Sequence, residues 1–392
     1  MNKWKEIKYI GVNDHRIDLF EGLYKVPDGM SYNSYVILDE KIAVMDTVEL
    51  DFGEMWLENL ENVLEGRKPD YLIVQHMEPD HSANIMNFIK KYPGAIIVAS
   101  EKAFAMMAHF FGTGFTENRL MVSDGDLLSL GKHKLLFATA PMVHWPEVIV
   151  TYDSTDKVFF SADAFGKFGA LDVNDDWVTE ARRYYMGIVG KYGAQVQALL
   201  KKVSAWEIRA ICPLHGPVIT RELERCISLY DTWSAYRPEE KGVLIAFASI
   251  YGNTKNAVQL LGEKLKERGC KNVVLKDLSR CELSEAVAEA FRLDRLVLAS
   301  PTYNTALFPP VREFITWLTE RNYSNRKVAF MENGSWAPIA TKLMKECFAK
   351  SKNMSFTETS VRIMSALDEG SILQLDELAE ELCKEDCQEV KK

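Results

Sequence analysis

From Lys241 onward the sequence repeats one phrase five times, a short apolar run followed by an amphipathic stretch of helical period. The runs are GVLIAFAS, NVVLKD, RLVLASP, KVAFMEN and MSFTETSVRI. Strands and helices that alternate in this way build a parallel sheet joined by crossover helices, so this part is confined to an α/β, doubly wound sheet with helices on both faces. The first 240 residues do not follow that rule. They hold many short β-rich runs, among them SYVILDEKIAVMDTV, YLIVQHM, AIIVAS, KLLFATAPMV and VIVTYDSTDKVFFSAD, with helical stretches between several of them. Two grammars imply two cores, and 392 residues suffice for both. The seam is expected in TWSAYRPEEKG, near Pro238, which gives domains 1–240 and 241–392.

A hydrophobic content of 47% with 26% charged residues is that of an ordinary globular protein and excludes a disordered chain. The start, MNKWKEIKYIGVNDHRIDLF, lacks the apolar segment of a signal peptide, and no later run reaches membrane-spanning length. The expectation is a cytoplasmic protein with neither membrane nor nucleic acid as partner. Seven cysteines, at 212, 226, 270, 281, 347, 383 and 387, are scattered without a Cys-x-x-Cys, which argues against a disulfide framework and against a thiolate metal site. Charge is uneven. Residues 1–240 carry 25 Lys and Arg against 35 Asp and Glu, whereas 241–367 carry 19 against 12, a basic body suited to an acidic protein partner.

The stretch QHMEPDHSAN places His76, Glu78, Asp80 and His81 within six residues. YLIVQHMEPDHSANIMNFIKKY reads as a strand, a tight loop broken by Pro79, and a helix from near Ser82, so the four polar groups belong to a loop that can turn them toward one point. His15, His109 and His133 read as ordinary solvated or capping residues. Further candidates follow similar apolar runs: His144 in TAPMVHWPE, Asp163 in VFFSADAFG and His215 in AICPLHGPV. Together the seven resemble the metal site of the metallo-β-lactamase fold, an αββα sandwich in which loops at one edge deliver His, Asp and His to two metals. The zinc hydrolases of that fold carry His-x-His-x-Asp-His; here Glu78 replaces the second imidazole with a hard anionic oxygen. Carboxylate and imidazole ligands without sulfur suit iron. Glu78, Asp80 and Asp163 bring three negative charges against the four positive charges of a diferrous pair, and one bridging hydroxide completes neutrality.

In the second half, SIYGNT leads into the helix NTKNAVQLLGEKLKERG, with hydroxyls and backbone N–H groups at a strand-to-helix turn able to cradle a phosphate. Neither Gly-x-Gly-x-x-Gly nor Gly-Lys-Ser/Thr is present there. SPTYNTALFPP and MENGSWAP end the third and fourth strands, where open α/β sheets bind ligands. The pattern resembles flavodoxin, with strand order 2-1-3-4-5 and FMN held by Ser249, Ile250, Tyr251, Gly252, Asn253 and Thr254, by Pro301, Thr302, Tyr303, Asn304 and Thr305, and by Asn333, Gly334, Ser335 and Trp336.

A metallo-β-lactamase-like domain with this Glu-for-His exchange, followed by a flavodoxin-like domain, resembles the flavodiiron proteins over essentially the whole chain. YNSY at Tyr32 to Tyr35, HWPE at His144 to Glu147 and YYMGIVGKYG at Tyr184 to Gly193 belong to the likeness. The resemblance implies an enzyme that reduces O2 to water, NO to N2O, or both, at a non-haem, oxo- or hydroxo-bridged di-iron site fed through FMN. It assigns His76, Glu78 and His144 to the iron nearer the flavin, Asp80, His81 and His215 to the other, and Asp163 to the bridge. In some members the counterpart of His81 is displaced from the metal. An external donor is expected, a rubredoxin or, as in methanogen relatives, a reduced deazaflavin. The working unit is expected to be a head-to-tail homodimer or a dimer of dimers. The competing reading is a dizinc hydrolase with a regulatory flavodoxin domain.

Overall fold

The computed structural model describes residues 4–173 and 176–389. The chain forms two compact units, Met1–Asp231 and Thr232–Lys392. In the first, a six-stranded sheet runs in the order Ile7–Tyr9, Tyr35–Ile37, Ala43–Met45, Tyr71–Ile73, Ile96–Ala99, Arg119–Met121. The five-stranded sheet is an antiparallel run of Leu127–Ser129, Lys134–Thr139, Ile149–Asp153 and Val158–Phe160, closed by Ala210–Cys212 pairing parallel. Period-two alternation explains how the sheets meet. Tyr35 and Ile37, Ala43 and Met45 from one sheet share a core with Leu135 and Phe137, Val158 and Phe160, Ala210 and Cys212 from the other. The helix Gly53–Leu64 buries Trp56, Leu60 and Leu64, four residues apart on one stripe.

The second unit is a parallel sheet in the order Val273–Asp277, Glu240–Phe247, Leu293–Tyr303, Lys327–Asn333, with Ser355–Phe356 and Val361–Ile363 both pairing with the last. This is the expected 2-1-3-4-5 order. The run expected as one fifth strand is instead two short ones. The Glu381 carboxylate accepts the N–H groups of Glu358 and Thr359 at 2.9 and 3.0 Å, taking them out of the ladder. On one face Ala257, Val258, Leu261 and Leu265 of Asn253–Glu267 pack with Leu375, Leu378, Ala379 and Leu382 of Glu369–Glu389.

No helix among the described residues is long and apolar enough to cross a membrane. Cys212, Cys226, Cys281 and Cys347 carry free thiols, the first two of them buried; the Cys387 side chain lies outside the described residues.

Candidate functional site

The stretch from Tyr71 is strand only to Ile73, and Pro79–Ser82 is a short helix rather than a loop, with proline at its first turn, where a missing N–H costs nothing. The next helix starts at Ile85 instead of Ser82. The three remaining candidates leave the five-stranded sheet: His144 between Thr139 and Ile149, Asp163 after Val158–Phe160, and His215 after Ala210–Cys212. Ala162 and Phe165 bracket Asp163 at φ 51° and 67°, left-handed backbone held by complete burial.

All seven side chains converge in two groups, His76, Glu78, His144 and Asp163, and Asp80, His81 and His215. In the first, Glu78 Oε2 lies 3.2 Å from His76 Nε2 and 2.9 Å from His144 Nε2, while Asp163 Oδ2 lies 3.3 and 3.1 Å from the same nitrogens. In the second, Asp80 Oδ2 is 3.3 Å from both His81 Nε2 and His215 Nε2, which are 3.0 Å apart. Asp163 Oδ1 faces this group at 3.5 and 3.8 Å. One carboxylate therefore turns one oxygen toward each group. Separations near 3 Å match a cation about 2.1 Å from two ligands set at a right angle.

Buried polar atoms left without partners point the same way. Neither oxygen of Asp80 or Asp163 takes an aligned hydrogen bond, although all four are buried. The imidazoles are preset to offer Nε2. His76 Nδ1 lies 2.8 Å from Glu147 Oε1, and His215 Nδ1 lies 2.7 Å from the Ser31 carbonyl, so each donates its ring N–H away from the centre. His215 is caged by Phe20, Tyr32 and Tyr184, with ring centroids 5.4, 5.9 and 5.5 Å away. Burial works against charge here, yet the imidazoles outweigh it and hold the Asp163 and Glu78 carboxyls well below their usual range. The carboxylates reciprocate, raising His144 to about 9 and moving His76 and His215 upward against the same burial. The residues fit a pair of hard divalent cations.

The quoted motifs act around this centre. Asn33 of YNSY donates to the carbonyls of Pro213 and Gly216 at 2.8 and 2.7 Å, latching both sides of His215. Glu147 of HWPE also accepts the Met77 N–H at 2.8 Å. Sequence reasoning missed Asp46, fully buried, whose carboxylate accepts from the Gln75 N–H at 2.7 Å and Gln75 Nε2 at 2.9 Å. It also missed Glu21, whose carboxyl is raised to about 7 by desolvation and by the Glu78 carboxylate beside it. His133 departs from its expected role as well, since it is fully buried against Asp153.

In the second unit a cleft of about 460 Å³ opens at the carboxyl ends of the strands. It is lined by Ser249, Ile250, Tyr251, Asn253 and Thr254, by Pro301 to Thr305, and by Asn333 to Trp336. Gly252 does not line it. At φ 97° it starts the helix Asn253–Glu267, and its N–H donates to Ser249 Oγ at 3.1 Å, so it shapes the turn. Ala337 and Ser365 complete the wall and were not foreseen; Ser365 bonds Ser335 Oγ at 2.8 Å. Asn304 and Thr305, at φ 48° and 56°, form a two-residue hairpin tip between Leu293–Tyr303 and Ala306–Leu307. Aromatic walls and a helix start suit a flat heteroaromatic ring bearing a phosphate.

Residues 30–216 match the model of the ODP family beta lactamase. The chain is 30% identical over 352 residues to a nitric oxide reductase of Moorella thermoacetica, covering 87% of each. It is 26% identical over 388 residues to a rubredoxin-oxygen oxidoreductase of Megalodesulfovibrio gigas, covering 96% of this chain and 95% of that one. Its fold matches the solved rubredoxin oxygen:oxidoreductase of Desulfovibrio gigas with a TM-score of 0.90 at 25% identity, over 99% of this chain and 98% of that one. With both units, the paired His and carboxylate groups and the cleft in place, the chain belongs to the flavodiiron proteins, FMN-dependent, di-iron oxidoreductases.

Proposed function

We propose that this protein reduces O2 to water, NO to N2O, or both, at a di-iron site held by His76, Glu78, Asp80, His81, His144, Asp163 and His215. The observation that carries the reading is the double-faced Asp163, whose two oxygens turn to two separate groups of His and carboxylate. Two irons bound there would supply Lewis acidity and two electrons, and FMN in the cleft two more, matching the four that O2 consumes and exceeding the two that a pair of NO molecules needs.

The chain's own groups do the rest. Glu147 and the Ser31 carbonyl hold the His76 and His215 rings with Nε2 inward. Exposure at the centre is slight, with the Glu78, Asp80 and His144 side chains 15%, 12% and 8% exposed and the others sealed. A diatomic needs no wider door, and the same seal keeps bulk water from partly reduced products. Glu78 and the absence of sulfur favour iron over zinc, which sets this reading above a hydrolase.

Electrons enter from an external donor, of which a rubredoxin is the first candidate. The working unit in this reading is a head-to-tail homodimer in the cytoplasm. Its support is the family resemblance, the free thiols, and a cleft rim whose Tyr251 and Trp336 stand 94% and 80% exposed. The test is anaerobic purification with assay of bound iron and FMN, then consumption of O2 and of NO driven by NADH, rubredoxin reductase and rubredoxin. Stoichiometric zinc without gas consumption would overturn the proposal.

A further inference from the structure

Outside that centre one more histidine is buried among carboxylates. His133 sits in the turn between Leu127–Ser129 and Lys134–Thr139 and is fully buried. Its backbone N–H donates to Asp39 Oδ2 at 2.7 Å, and its Nδ1 lies 2.8 Å from Asp153 Oδ2. Asp153 is buried in turn and accepts the N–H groups of Thr155 and Asp156 at 3.1 and 3.3 Å. The ring is thus held in one orientation, Nδ1–H toward Asp153. Its other nitrogen, Nε2, is buried and has no hydrogen-bond partner.

One ring nitrogen of His133 and a carboxylate oxygen from each of Glu6 and Asp156 lie within 4.8 Å of one another. With Nδ1 engaged by Asp153, Nε2 is the nitrogen left for this group. That nitrogen is removed from water without a partner, and a cation set between it and the two half-buried carboxylates would satisfy all three. A carboxylate behind the far ring nitrogen is the arrangement that orients an imidazole toward a metal.

We propose that Glu6, His133 and Asp156 form a third cation site, separate from the di-iron centre, for a borderline divalent transition ion such as Zn2+, with water completing the coordination. The half-buried Glu6 and Asp156 close onto the ion, while Asp153 positions the imidazole. Glu6 immediately precedes Ile7–Tyr9 of the six-stranded sheet, whereas His133 and Asp156 lie in turns of the five-stranded sheet. The ion therefore fastens one sheet to the other. The exposed Lys132, with Nζ 3.0 Å from Glu6 Oε1, is its competitor for that carboxylate.

The test is titration of the iron- and FMN-loaded protein with Zn2+ by calorimetry, with iron content and melting temperature followed in parallel. One additional Zn2+ per chain is expected, with iron retained and Tm raised. Glu6→Gln with Asp156→Asn, both on half-buried side chains, should weaken binding at least about 10-fold and abolish the Tm rise while leaving iron and flavin spectra unchanged. Lys132→Gln should bind more tightly than the parent. No additional ion, zinc entering only as iron leaves, or unchanged binding by the double variant would each overturn the site.

Discussion

At the scale of single residues, the ligand set is governed by oxygen against nitrogen at one position. Glu78 places an anionic oxygen 2.9 Å from His144 Nε2 and 3.2 Å from His76 Nε2, where the zinc hydrolases of this fold carry an imidazole. Glu78→His is expected to cut iron retention and gas turnover together while FMN content stays at one per chain, as read by metal analysis and flavin absorbance. Full iron and full turnover in that variant would remove the hardness argument. Glu147 acts through His76. In Glu147→Gln the neutral amide oxygen still accepts the hydrogen bond from His76 Nδ1–H but no longer polarises the ring, so iron should be lost to a chelator roughly 10- to 100-fold more readily, with the fold intact. The seven ligand positions were legible because each follows an apolar run, at a strand end where backbone turns aim side chains at one edge. Glu21, Asp46 and the Ser31 carbonyl were not. A lone acid in FEGLY or VMDTV looks like any turn residue, and its partner lies tens of residues away in sequence.

At the scale of elements, rhythm in the sequence marked a parallel sheet and the resemblance to flavodoxin supplied its strand order, while chain breaks were set by contacts that rhythm does not encode. Five apolar runs announce the parallel sheet of the second unit, yet the fifth splits because Glu381, on a helix, captures two amides of the strand. Pro79 reads as a loop residue but opens a helical turn, since proline is well placed at a helix start. Loops that carry ligands depend on similar latches. Asn33→Ala removes both hydrogen bonds that Asn33 Nδ2 gives to the carbonyls flanking the His215 loop, leaving the buried Pro213 carbonyl only its longer bond from the Tyr35 hydroxyl, at 3.2 Å, and taking from Gly216 its bond to Asn33. The expected cost is about 2 kcal/mol or more in denaturant unfolding, with easier loss of iron. A change under half that size would mean that water replaces the latch. The proposed boundary near Pro238 has its own consequence. A fragment from Lys241 should fold alone and turn yellow with FMN, because the cleft and the core beneath it are built from that segment, yet it should reduce neither gas efficiently.

At the scale of the whole molecule, electrons must pass from a flavin in one unit to irons in another, and each chain supplies one of each. A compact unit of about 230 residues has a radius of gyration of roughly 17 Å, so two edge sites in tandem units need not come within tunnelling range. A two-fold axis offers a direct solution: a head-to-tail pair sets each flavin cleft against the partner's metal centre, and the interface closes after two copies. The exposed Tyr251 and Trp336 at the cleft rim are the kind of apolar surface such an interface would cover. Complementation separates this arrangement from transfer within a chain. A variant with His144→Ala and Asp163→Ala cannot hold its irons, and one with Ser249→Glu and Thr254→Glu repels the phosphate of FMN. In each homodimer every route lacks an end. In the heterodimer, transfer between chains pairs the one intact flavin cleft with the one intact metal centre, restoring up to about half of the parent turnover. Transfer within a chain gives none, because both chains remain crippled. Tandem purification through two different tags, with iron and FMN each measured at one loaded site per pair, isolates the species to be assayed, and an inactive heterodimer of that composition would refute the head-to-tail unit.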